Sequence, residues 1–345
     1  MSLIDLLKRK NKKVLFTTPS HGQSFFVVNK FRHFYKNDIS ETEAHNPQEA
    51  LEKAQEWASN VYGVKYTKFL TNGSSSGIIA SVLSCVKRGE KVLIWDNAHP
   101  SHKNAVELAG GAPIFYELPF NDEWGIYGAL DVNNLKSSLI SEKPVAIIVT
   151  SPSYEGIVSD ISLISDICRQ YNVKLIVDEA HGALYPFSEK LPKSSVGIAD
   201  FTVQSLHKTA GGLNPTALLH SKEIDPSDAL VKINTTSPSY PLLMTIEANI
   251  KFLNSSRGRK VLDKLIYNME LLRNECKNVK IYGDDITKIL IKKEGLSGEE
   301  LSEKLFEDFD IEDERTNCVS TMILTGIGTS VKKVDKLKRA LKRLN

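Results

Sequence analysis

Cysteine is scarce. The 345 residues contain four, Cys85, Cys168, Cys276 and Cys318, scattered without CxxC or ligand-like spacing, so the sequence offers neither a metal site nor a disulfide framework. A reducing cytoplasm is the expected compartment. No apolar run approaches the ~18 residues that a bilayer-spanning helix requires. The opening MSLIDLLKRKNKK places its charge after its apolar residues, the reverse of a secretory signal, and no membrane partner is expected. Excess charge is missing too: 44 Lys and Arg face 42 acidic residues, a balance of +2 that gives no reason to expect a nucleic-acid partner. There is no internal repeat and no low-complexity tract. What remains is an ordinary globular composition, 41% hydrophobic and 25% charged, in a chain long enough for about two domains at ~150 residues each.

Short apolar runs alternate with helical patterns through the first two-thirds. The runs are Thr67–Thr71, Lys91–Trp95, Pro113–Leu118, Val145–Thr150, Lys174–Asp178, Phe201–Gln204 and Thr216–His220. Several are continuously apolar, as in strands buried on both faces. Between them, Pro47–Asn60, Ser74–Arg88, Ser101–Ala109 and Asp160–Tyr171 have helical spacing, with Pro47 and Asp160 as helix starts. The pattern predicts an α/β fold with a mostly parallel sheet flanked by helices, residues 1–220 forming an N-terminal segment and large domain. Beyond 221 come a long helical stretch, Thr245–Lys277, and short strands at Lys288–Lys292 and Thr321–Leu324, which predict a linking helix and smaller α+β domain over 221–345. Val334, Leu337, Leu341 and Leu344 form an apolar stripe opposite seven basic residues. A docked terminal helix with a solvated face is preferred over a membrane- or RNA-binding one.

Three segments carry candidate chemistry. In TNGSSSGIIAS a strand runs into Gly73, Ser74, Ser75, Ser76 and Gly77 at a helix start, where backbone N–H groups, the positive helix end and hydroxyls converge as a phosphate site requires. Alone, the motif reads first as a flexible serine-capped turn, and no Lys follows the glycine as a Walker A loop demands. In KLIVDEAHGA, Asp178 ends an apolar strand and His181 follows three residues later. A carboxylate at that strand end faces the crevice where open α/β sheets bind ligands, and staying ionised there requires a partner. The other reading makes Asp178 a cap and His181 a satisfied core residue; a nucleotide-hydrolysing DEAH box would need the missing phosphate loop. In FTVQSLHKTAGGL, Lys208 follows a buried strand beside Ser205 and His207, where desolvation lowers an amine pKa and makes it nucleophilic towards carbonyls. A snorkelling lysine is the ordinary alternative. Together, a phosphate cradle, an anionic partner for a pyridinium and a Schiff-base lysine, each after its own strand, are the groups pyridoxal 5'-phosphate needs. His99, in WDNAHPSH, supplies a ring able to stack on that cofactor, with His102 as its competitor.

At this point the sequence resembles the ornithine/lysine/arginine decarboxylase family of fold-type-I pyridoxal-phosphate enzymes, over roughly residues 14–250. The resemblance rests on TPSHG (Thr18–Gly22), AQEWASNVYGV (Ala54–Val64), TNGSSSG, NAHPSH, TSPSYEG (Thr150–Gly156), VDEAHGA, QSLHKT and TTSPSYPLL (Thr235–Leu243). It implies that Lys208 binds the cofactor covalently, Asp178 pairs with the pyridine nitrogen and His99 stacks on the ring. It further implies that Ser75, Ser76, Ser205 and His207 hold the phosphate, that His181 lies beside the ring, and that Ser237 reaches the cofactor of a second subunit in a homodimer with shared active sites. The activity implied is decarboxylation of lysine, arginine or ornithine, with Lys208 or a neighbouring histidine returning a proton to Cα. Glu314, in DIEDERT, is the candidate reader of the basic side chain; Glu312 and Asp313 adjoin it, and a solvated acidic edge is an equal account.

Two local departures stand out: Ser20 and Gly22 occupy the Gly and Lys places of the family's PGHK, and Asn214-Pro215 replaces Thr-Gln after the lysine motif. The family's wing and additional C-terminal domains are expected to be absent. Transamination or elimination on the same cofactor is the competing reaction, with Arg315 as the residue that would grip a substrate carboxylate; an ion pair between Arg315 and a protein acid would weaken it. A non-catalytic regulator on the same fold is the remaining alternative, opposed by the joint presence of Lys208, Asp178 and His99.

Overall fold

The computed structural model of the protein describes residues 2–5, 38–39 and 47–344. TPSHG, with Ser20 and Gly22, lies outside them. A seven-stranded sheet is built from β1 (Tyr66–Leu70), β2 (Lys91–Trp95), β3 (Ala112–Tyr116), β6 (Ala146–Thr150), β7 (Lys174–Asp178), β8 (Phe201–Ser205) and β9 (Ala217–Ser221), in the order β1-β9-β8-β7-β6-β2-β3. A hairpin of β4 (Phe120–Asn121) and β5 (Ile126–Tyr127) follows β3.

Why these runs become strands is visible in their neighbours. Val92, Ile94, Ile148 and Ile176 face one buried cluster with Ile78, Val82 and Val106 of helices Gly73–Cys85 and Pro100–Leu108. The alternating residues Leu93, Ile147, Val149, Leu175 and Val177 face the other, with Leu135, Leu139, Ile164 and Ile167 of helices Val132–Glu142 and Ile161–Gln170. Both faces of the sheet are dry, so no polar alternation survives in the sequence. Helix Ile161–Gln170 starts where predicted: the Asp160 carboxylate accepts from Leu163 N at 3.0 Å.

The sheet is parallel from β3 to β8, and β9 then reverses between β8 and β1. The connection from β8 to β9 has no room for a parallel crossover, which needs a dozen or more residues, so the strands close as an antiparallel pair with Ser205 opposite Ala217. The C-terminal ends of β1, β2, β6, β7 and β8 thereby share one edge, the edge at which open α/β sheets bind ligands.

The second sheet, β10 (Lys280–Tyr282), β11 (Lys288–Lys292), β12 (Arg315–Thr316) and β13 (Thr321–Leu324), is antiparallel in the order β10-β11-β13-β12. The helical stretch before it is two helices, Tyr240–Leu253 and Ser256–Glu275, because the Ser255 hydroxyl accepts from Gly258 N at 3.0 Å and starts the second. The terminal helix Val331–Arg343 docks: Val334, Leu337, Ala340 and Leu341 are buried in a cluster shared with Leu265, Met269 and Leu272. Among the described residues no helix is long and apolar enough to cross a membrane.

Candidate active site

A cleft of about 680 Å³ opens at the shared strand edge, within the range usual for small-molecule sites. Its wall includes Asn72–Ser75 after β1, His99 after β2, Tyr154 and Glu155 after β6, Asp178 and His181 at the end of β7, and His207 and Lys208 after β8. Residues from five strand ends, up to 136 positions apart in the chain, therefore meet in one cavity only because the strands run side by side.

Asp178 is almost wholly buried. Its Oδ2 accepts from His102 Nε2 at 3.0 Å, and Oδ1 accepts from Ala180 N at 3.1 Å. Burial alone would push this carboxyl up; the His102 hydrogen bond and the charge of Lys208 outweigh it and hold the group below its ordinary value. A carboxylate has about four lone-pair positions, so both oxygens retain acceptor capacity. The two histidines differ in position. His102 is fully buried behind Asp178, whereas His99 lines the cleft, its Nδ1 2.8 Å from Ser101 Oγ, as the cap of helix Pro100–Leu108. The sequence reading missed His102 as the partner of Asp178. The signal was its i+3 spacing from the helix cap, which turns it inward on the first helical turn.

Lys208 Nζ lies 2.9 Å from His181 Nε2. Burial pulls the amine below its usual range, opposed by the carboxylates of Asp178 and Glu314. His181 is buried and lowered further, by desolvation first and then by Lys208 and Lys288. It is a neutral imidazole that accepts at Nε2. The Tyr154 ring tilts onto it, with centroids 4.6 Å apart.

At the phosphate-like corner, Gly73 adopts φ +75° and its N–H donates to Pro215 O at 2.8 Å, which ties the turn to the segment following Lys208. Gly77 lets the helix lie on the sheet, since a Cβ there would meet Val203 Cγ1 at 2.7 Å. Asn72 provides no side-chain cap, so first-turn N–H groups remain available beside Ser74 and Ser75. The Ser76 hydroxyl turns back onto Gly73 O at 2.8 Å, and Ser74 and Ser75 line the wall. Ser205 is fully buried behind the wall, its hydroxyl without a partner among the described residues. His207 Nδ1 donates to Thr216 O at 3.0 Å.

Ser237 is exposed before helix Tyr240–Leu253, bonded to Thr235 and away from this chain's cleft wall. Of the three adjacent acids, Asp313 is engaged by Ser302, Thr316 and Thr321, and Glu312 is exposed. Glu314 accepts from the Tyr154 hydroxyl, which burial and then Glu314 push up to about 12. Arg315 is paired: NH1 lies 3.3 Å from Glu155 Oε1, and its guanidinium covers the Tyr154 ring at 5.1 Å.

The model of the Orn/Lys/Arg decarboxylase major domain matches residues 8–289. The chain belongs to the Orn/Lys/Arg decarboxylase family. An arginine decarboxylase of Halalkalibacterium halodurans is 27% identical over 97% of this chain and 74% of its own length. One of Bacillus subtilis is 28% identical over 95% and 73%. The Francisella novicida lysine decarboxylase superposes with a TM-score of 0.84 at 21% identity, covering 99% of this chain and 59% of that one, which shows the fold-type-I architecture. The family implies pyridoxal phosphate, and the residues fit it: uncapped N–H groups with serines for a phosphate, the orphaned Ser205 hydroxyl and His181 Nδ1, an ionised buried aspartate, and a desolvated lysine.

Proposed function

We propose that this family member is a pyridoxal-phosphate-dependent decarboxylase of a basic amino acid, arginine, lysine or ornithine, forming agmatine or a diamine and CO2. The carrying observation is the joining of Lys208, His181 and Asp178 on one cleft wall, the amine 2.9 Å from the imidazole. The family membership and the names of the arginine decarboxylases above support the choice of reaction and substrate class. Residues 1–220 would carry the cofactor and 221–345 the linking helix and small domain.

In this reading Lys208 would hold the cofactor covalently and His99 would stack on its ring. Asp178 keeps the ring nitrogen protonated, with His102 keeping Asp178 ionised. Ser75, Ser205 and His207, with Ser74 and the free N–H groups of the helix start, bind the phosphate; Ser76 supports that turn through Gly73. Bound there, the cofactor supplies an electron sink for the pair left on Cα as CO2 departs. Lys208, or His181 beside it, would supply the proton that Cα takes up. Desolvation suits Lys208 to both tasks, because a lowered pKa makes the nucleophilic free amine more accessible than in an exposed lysine. Glu314, fixed by Tyr154, would read the basic end of the substrate. Ser237 would serve the site of a second copy in a cytoplasmic homodimer. The Arg315–Glu155 ion pair weighs against transamination, which would use Arg315 to grip a carboxylate.

The test is CO2 release from arginine, lysine and ornithine in turn, by wild type and Lys208→Ala, with the visible absorbance of the lysine-bound cofactor recorded alongside. One substrate should be turned over by wild type and by none of the variant. A coloured wild-type protein that releases no CO2 from all three would move another reaction on the same cofactor into first place.

A further inference from the structure

Lys288 is the one lysine in the described core whose amine is wholly enclosed. It opens β11 in the second sheet, yet its Nζ donates to His181 O at 2.8 Å, at the end of β7 in the first. The same amine reaches Asp285 Oδ2 at 2.5 Å and Thr287 Oγ1 at 3.2 Å, so its three protons have three acceptors. Asp285 is fixed in turn: Tyr185 OH donates to Oδ2 at 2.6 Å, and Thr287 N and Oγ1 donate to Oδ1 at 2.8 and 2.6 Å. Gly156, of the segment that bears Tyr154, packs on the pair closely enough that an added Cβ would lie 3.2 Å from Lys288 Cβ and 3.3 Å from Asp285 Cβ.

A buried ion pair is a poor source of stability, since desolvation offsets its attraction and apolar residues of similar volume serve as well. What it supplies here is direction. His181 accepts at Nε2 towards Lys208, and rotation of its backbone would swing that nitrogen away. The Lys288 grip on its carbonyl and the Tyr154 ring on its face fix both ends.

We propose that Lys288 is a positioning residue of the active site, which by holding the His181 carbonyl from the small domain keeps His181 Nε2 on the amine of Lys208. It touches neither cofactor nor substrate and acts through His181. The proposal deepens the decarboxylase reading and rests on it only for the identity of the step that suffers.

The experiment uses the full chain. Removing one member of the pair leaves a buried uncompensated charge, so the principal variant neutralises both, Lys288→Met with Asp285→Asn. Lys288→Gln with Asp285→Asn, which also leaves no buried charge and keeps a donor at position 288, is the milder second variant should the first not fold. The first readout is the ring-nitrogen spectrum of ¹⁵N-histidine-labelled protein without cofactor, with His181 assigned from a His181→Gln sample. Wild type should show a single tautomer, Nδ1-protonated and bonded at Nε2; both variants should show averaging between tautomers, the milder one less. The second is the pH midpoint of the visible absorbance of cofactor-loaded protein without substrate. The groups facing His181 are Lys208, Lys288, Asp178 and His207, with the Tyr154 ring on its face. Loss of the His181 contact should move the midpoint by about half a unit or more. kcat should fall about tenfold with KM unchanged, the pattern of an interaction made in the transition state. A folded variant with the wild-type His181 spectrum and midpoint overturns the proposal. Leu305→Ala, which destabilises the fold at a fully buried position without touching this network, should move neither. Failure of wild type to release CO2 would remove the decarboxylase reading while the cofactor-free spectrum still decides the role of Lys288.

Discussion

At the scale of single residues the site is a set of opposed electrostatic demands. Asp178 must stay charged where burial disfavours charge, and His102 supplies the compensating donor. His102→Leu should therefore raise the Asp178 pKa. The sign follows directly: the folded carboxyl now lies below its ordinary value, so losing the donor moves its protonation upward and activity disappears first on the acid side. A hydrogen bond to a charged group contributes about 1.5–3 kcal/mol, so the acid limb of kcat/KM should move up by roughly one to two pH units. A pH profile of CO2 release checks both size and direction; an unmoved acid limb would exclude the role given to His102. His220 poses the converse case. Fully buried between Thr67 and Gln204, it is held neutral with a pKa of about 3 against 6.5 unfolded, by desolvation. The unfolded chain binds the proton first, so its contribution is complete above pH 6.5 and is lost as pH falls towards 3. Urea midpoints should drop below pH 6.5 with a slope of about 1.4 kcal/mol per unit from this group, and His220→Gln should remove that share.

At the scale of elements, the strands of the large sheet were legible because two-sided burial writes itself as unbroken apolar runs such as VAIIVT and KLIVD. The reversal of β9 was not, because strand direction depends on the length available between Ser205 and Ala217 and not on strand composition. The break at Asn254-Ser255 was hidden by apolar periodicity continuing across it. In the site, Asp178, Lys208 and the Gly-Ser turn stood out because each ends a strand with an unusual residue type. The bonds of His102 to Asp178, of Lys288 to the His181 carbonyl and of Tyr154 to Glu314 were illegible because each joins two distant elements. The helix Gly73–Cys85 carries a prediction of its own. Gly77→Ala would drive a methyl to within 2.7 Å of Val203 and 2.9 Å of Leu70, lifting the helix start that forms the phosphate corner. Overpacking of this kind costs about 1–3 kcal/mol, so melting should fall and cofactor affinity with it. Titration of cofactor-free protein by visible absorbance would show an unchanged affinity if the helix does not carry the phosphate.

At the scale of the whole molecule, the terminal helix and the large sheet share a core. Leu341 of that helix and Leu218 of β9 are both fully buried members of one contiguous cluster. Leu341→Ala should cost about 2–5 kcal/mol. Its loss should lower the single unfolding transition of the entire protein. Separate transitions, with the large sheet unaffected, would contradict the shared core.

The closing of β8 on β9 has a further consequence, in the order of folding. Lys208 lies in a loop whose ends meet at Ser205 and Ala217, and His207 bonds Thr216 nine positions away. The bond that aims His181 joins residues 107 positions apart. Contacts of short sequence separation close at low entropic cost and form early, whereas distant ones wait for the chain between them to be ordered. Lys208 is therefore framed while the chain is still assembling locally, and His181 is fixed only when the second sheet has docked.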